Sequence, residues 1–68
     1  MIVKLSDRER EVLRLVALEH TTEEIAAALY LSYHTVISHR KNIMTKLNVK
    51  NSAGLVRKGF EEGILCVA

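Results

Sequence analysis

The chain has 68 residues, 49% of them hydrophobic and 26% charged, with three glycines, no proline and one cysteine. A chain this short buries only about 60% of the surface it exposes when unfolded, which leaves little room for an enclosed catalytic pocket and fits one domain, residues 1–68. The apolar fraction argues against disorder, and the lack of proline favours helices over a many-turned β fold. Net charge is only +2. No apolar run approaches the roughly 20 residues of a membrane span, and no signal-peptide pattern is present, so the cytoplasm is the expected location, with no membrane partner. Cys66, within an apolar tail, has no partner for an internal disulfide and is expected to act as a small apolar residue.

The first predicted helix covers about 7–18. Ser6-x-x-Glu9 is a capping box: the hydroxyl accepts from the third helical N–H while the carboxylate reaches back to the cap. Val12, Leu13, Leu15, Val16 and Leu18 supply an apolar face, and Arg8, Glu9, Arg10, Glu11 and Arg14 are expected mostly in solvent. Leu5 precedes the cap and folds back onto the core.

The second helix, about 22–29, starts at another capping box, Thr21-x-x-Glu24, and turns Ile25, Ala26 and Leu29 inward. Tyr30-Leu31 is a brief link, and Ser32 caps a third helix over about 33–47. A short helix, a tight turn and a longer helix make a helix-turn-helix unit. Rotating by about 100° per residue puts Val36, Ile43 and Leu47 on one side of the third helix, flanked by His39 and Arg40. His34, Ser38, Lys41 and Thr45 fall opposite, with Ile37 and Asn42 at the edges. That outer face has no acid and suits base edges and phosphates. The fourth helix, about 52–62, has Asn51 as its cap and Gly63 as its stop, with a wide stripe of Leu55, Val56, Gly59 and Phe60. Gly54 and Gly59 each cost about 1 kcal/mol relative to alanine, so packing must hold this helix. The expected class is all-α, a four-helix helix-turn-helix domain.

Charge is segregated along the chain. From Ile25 to Phe60 there is no Asp or Glu, while Arg40, Lys41, Lys46, Lys50, Arg57 and Lys58 lie in that stretch. A wholly basic half implies a polyanionic partner: DNA, RNA or an acidic protein.

In order, the residues Leu5-Ser6-x-Arg8-Glu9-x-Glu11-Val12-Leu13, Glu24-Ile25-Ala26, Leu31-Ser32-x-x-Thr35-Val36-x-x-His39 and Asn42-Ile43-x-x-Lys46-Leu47 resemble the LuxR-type helix-turn-helix domain, also called GerE- or NarL-type. The resemblance runs over about 5–65. It implies the effector domain of a bacterial transcription regulator, binding double-stranded DNA sequence-specifically, with its third helix in the major groove and its fourth pairing subunits. DNA contacts are then expected from His34, Thr35, Ile37, Ser38, His39, Lys41 and Lys46, with His39 equally suited to interhelix packing. Subunit pairing, as a weak or DNA-dependent homodimer, falls to Leu55, Val56, Gly59 and Phe60. An N-terminal receiver or sensor domain and RNA polymerase are the other partners the resemblance implies.

The chain departs from the family pattern in three places. Where the family has a left-handed glycine after the first helix, this chain has Glu19, and a different turn through Glu19-His20 is expected. Asn48 replaces a common glycine but tolerates the same conformation. Ser52 and Gly54 stand where Arg and Glu are frequent, which weakens the fourth helix and the pairing expected of it.

No metal, cofactor or catalytic residue is expected. His34 and His39 are five residues apart, on different helix faces, and His20 is isolated. Two other functions fit less of the pattern: a sigma-factor region that binds promoter DNA with polymerase, and a protein-interaction module using the fourth helix.

Overall fold

The computed structural model describes residues 4–65, so the reading of Cys66 lies outside the described residues. Four α-helices follow one another: α1 Asp7–Ala17, α2 Thr22–Leu29, α3 Tyr33–Leu47 and α4 Ser52–Glu61. No strand occurs among the described residues, and no described helix is long and apolar enough to cross a membrane.

All four starts are set by side-chain caps. Ser6 Oγ accepts from the Glu9 N–H at 3.1 Å while Glu9 Oε1 accepts from the Ser6 N–H at 2.8 Å. Thr21 and Glu24 repeat the arrangement at 3.1 and 2.8 Å. Ser32 Oγ accepts from the Thr35 N–H, and Asn51 Oδ1 from the Gly54 N–H. Each cap satisfies donors that have no partner within the helix.

The four ends share one motif. A left-handed residue follows each helix, directly at Tyr30 (φ 56°) and Asn48 (φ 56°), and after one intervening residue at Glu19 (φ 67°) and Gly63 (φ 74°). The next N–H closes five residues back, from His20 to Leu15, Leu31 to Ala26, Val49 to Met44 and Ile64 to Gly59, at 2.9–3.1 Å. This is the Schellman arrangement, in which an apolar residue after the left-handed position packs back on the helix. Leu31, Val49 and Ile64 do so against the core. The expected replacement of the left-handed cap at Glu19 is therefore corrected: Glu19 keeps that conformation although it has a Cβ. Leu18 and Glu62 are the C-caps, so α1 and α4 end one residue before the expected 18 and 62.

Leu5, Val12, Leu13, Ile25, Val36, Ile43, Leu47 and Leu55 form the core. Full burial of such side chains is worth roughly 1.5–3 kcal/mol each. α1 and α3 each pack against the other three helices, whereas α2 and α4 do not pack on each other.

Two expectations for α1 are corrected. Leu18 is 62% exposed and Glu9 only 4%. Glu9 precedes Val12 and Leu13 by three and four residues, so it shares their inward face. Leu18 lies about 170° around the axis from the middle of that pair, at about 100° per residue.

Candidate nucleic-acid interface

α3 owes its orientation to Val36, Ile43 and Leu47, which are all but inaccessible and fix its inner side. The opposite side then has to face outward. His34, Ser38, Lys41 and Thr45 are exposed along it, Asn42 is exposed at one edge, and Ile37 is half-buried at the other. Thr35 is half-buried, its Oγ1 2.8 Å from Ser32 Oγ, so its hydroxyl is engaged at the start of the helix. His39 is half-buried between the two sides. Tyr33 is 48% exposed beside His34, the rings edge-on with centroids 6.3 Å apart. Lys41 and Thr45 also line an open depression with Met44, Asn48 and Val49 at the C-terminal half of α3.

Lys46 stands apart from this row. Its Nζ lies 2.7 Å from Glu9 Oε1 and its side chain is 44% exposed. Burial raises the Glu9 pKa, but the Lys46 hydrogen bond, the Ser6 N–H and the Lys46 charge outweigh it and hold the carboxyl below its ordinary value of 4.5. The ionised pair joins the first turn of α1 to the last turn of α3. Lys46 is thus a tie between helices as well as a cation at the edge of the surface.

The basic stretch from 25 to 60 is less uniform in space than in sequence. Glu9 reaches into it to meet Lys46, and Glu61 takes Arg57 at 3.0 Å and Lys58 at 3.9 Å. Arg40 donates to two hydroxyls, Thr22 Oγ1 at 3.0 Å and Ser52 Oγ at 2.6 Å. Lys41 and Lys50 are exposed and meet no carboxylate among the described residues. Within that stretch they are the cations most available to an external anion.

The stripe on α4 divides. Leu55 is inaccessible and Gly59 is buried, which corrects their expected place at a partner surface. A Cβ on Gly59 would come 2.7 Å from Leu65 Cδ1 and 3.2 Å from Leu13 Cδ2, so the glycine admits the chain's own leucines rather than a second helix. Val56 is half-buried and Phe60 is 43% exposed. Together with exposed Ala53 they follow a spacing of three and four residues along one side of α4.

The contacts of Arg40, and the burial of Glu9 with its pairing to Lys46, are what the sequence did not reveal. For Glu9 the signal was its spacing from Val12 and Leu13. For Arg40 there was none, because its two acceptors are brought together only by the fold.

Residues 3–58 match the family described as bacterial regulatory proteins, luxR family. The chain is 41% identical over 64 residues to the uncharacterized response regulatory protein YgeK of Escherichia coli, covering 94% of this chain and 44% of that protein. It is 38% identical over 61 residues to the transcriptional regulatory protein MctR of Rhizobium johnstonii, and 41% identical over 61 residues to the oxygen regulatory protein NreC of Staphylococcus epidermidis; each match covers 90% of this chain and 28% of the relative. The chain therefore spans less than half the length of these relatives. A solved structure of the transcription factor GerE superimposes with a TM-score of 0.87 at 31% identity, covering 91% of this chain and 92% of that one.

Proposed function

Because this chain belongs to the luxR family of bacterial regulatory proteins, whose domain binds DNA and regulates transcription, we propose that residues 1–68 are a single effector domain that reads double-stranded DNA through α3 and pairs subunits through α4. The observation that carries the assignment of α3 is its outward row of His34, Ser38, Lys41 and Thr45, which is exposed and free of acids. Its side chains offer donors to base edges and phosphates, and a helix of this width fits a major groove. Ile37, at the edge of the row, suits a thymine methyl. Thr35, His39 and Lys46 flank the row and suit phosphate oxygens, Lys46 while still paired with Glu9.

The pairing surface is the remainder of the α4 stripe, Val56 and Phe60. A receiver or sensor domain, RNA polymerase and a cytoplasmic setting complete the reading. They are supported by relatives that extend well beyond this chain and carry the names of response and transcriptional regulators.

Selection of bound sequences from a random duplex pool tests the reading. A defined half-site, enriched over the pool and bound without polymerase, is the expected result. Retention of no duplex, or equal retention of all, would overturn sequence-specific readout.

A further inference from the structure

We propose that Arg40 is a positioning residue that fixes the start of α4 relative to α2 and α3, and so sets the separation of the two half-sites that paired subunits read. This rests on the pairing proposed above. α2 and α4 do not pack on each other, yet one guanidinium spans them, donating from one terminal nitrogen to Thr22 Oγ1 at 3.0 Å and from the other to Ser52 Oγ at 2.6 Å. Thr22 and Ser52 are the first residues of α2 and α4. Both acceptors are neutral, and no carboxylate meets the guanidinium among the described residues. Charge neutralisation therefore does not explain the contact. A planar fork holding two hydroxyls imposes direction, which a flexible ammonium cannot do.

α4 needs such a direction. Its buried residues, Leu55 and Gly59, are apolar contacts toward its middle, and apolar burial is non-directional. The guanidinium bond to Ser52 supplies direction at its start. Phe60, at the pairing surface, is eight residues beyond Ser52, about 12 Å along the axis at the α-helical rise. A tilt at the start of α4 is carried to Phe60 and changes the angle at which a second subunit presents its own α3.

The experiment uses duplexes carrying the selected half-site once, or twice at separations stepped by one base pair. The chain should show a sharp optimum in separation. Arg40→Lys and Ser52→Ala should keep single-half-site affinity, while preference for the best separation over its neighbours falls about five-fold, the net worth of one such hydrogen bond. Unchanged preference in both folded variants would overturn the proposal and leave pairing intact; Ser52→Ala decides if Arg40→Lys does not fold. A lower salt slope for Arg40→Met on a single half-site would make Arg40 a phosphate ligand and overturn it too. Absence of any preferred separation in the unaltered chain would overturn the pairing reading, and this proposal with it.

Discussion

Glu9 combines three tasks in one carboxylate: it completes the α1 capping box, sits on the core-facing side of that helix, and holds Lys46 on α3. Its folded pKa lies below the ordinary 4.5, so the unfolded chain takes up the proton more readily. The stability it contributes is complete above about pH 4.5 and is lost as pH falls through the folded value. Glu9→Gln should cost about 1–2 kcal/mol at pH 7, toward the low end for a charged hydrogen bond because Lys46 is partly solvated. In denaturant unfolding the gap from the unaltered chain should narrow at pH 3; a constant gap would place the effect in packing instead. Glu19 offers the opposite change. A residue with a Cβ at φ 67° is strained by roughly 1–2 kcal/mol, partly offset by the freedom glycine gains on unfolding. Glu19→Gly should therefore stabilise the chain by up to about 1 kcal/mol, seen as a higher denaturant midpoint. An unchanged or lower midpoint would show that the freedom glycine gains on unfolding matches or exceeds the strain relieved.

At the scale of the element, helix starts were legible and helix ends only partly so. A capping box is written in two residue types three apart, and both predicted boxes form. A Schellman end is announced by glycine, yet only Gly63 of the four left-handed residues is one. At Tyr30 and Asn48 the conformation is held by the apolar residue that follows and packs inward, which depends on the assembled core. The orientation of α3 was legible because its inner residues keep a regular spacing. That of α4 was not: Leu55, Val56, Gly59 and Phe60 all read as one stripe, and only contacts with Leu13 and Leu65 show which part turns inward. On the outer side of α3, Lys41 has no competing acid, unlike Lys46. Lys41→Ala should weaken binding to the selected half-site by about 1–3 kcal/mol if it reaches a base edge, and relax selectivity there. If it holds only phosphate, the loss should be similar on every duplex. Unchanged affinity in a filter-binding or anisotropy titration would remove Lys41 from the interface.

For the whole molecule, the fold redistributes charge that the sequence had segregated. Pairing of Lys46, Arg57 and Lys58 with Glu9 and Glu61 leaves Lys41 and Lys50 as the exposed cations of the stretch from 25 to 60 that meet no carboxylate among the described residues. Two phosphates neutralised per subunit give a slope of about −1.8 in log affinity against log salt, at about −0.9 for each. A slope near zero on a single half-site would contradict phosphate contact by this surface. The fold also narrows the proposed pairing surface. With Leu55 and Gly59 in the core, Val56 and Phe60 remain as its larger apolar groups, on a helix of ten residues. A stable interface usually buries more than about 1,200 Å² in total, which so small a patch does not reach alone. The chain should therefore be a monomer in solution and pair when DNA holds two copies on neighbouring half-sites, where tethering raises their effective concentration. A two-fold pairing would bring the same residues of both copies together, so one substitution is felt twice. Phe60→Glu places two like charges in that contact while sparing a residue that is 43% exposed and outside the core. It should keep the circular dichroism and the single-half-site affinity of the unaltered chain, and bind paired half-sites without cooperativity. Full cooperativity in the folded variant would move the pairing surface away from Phe60.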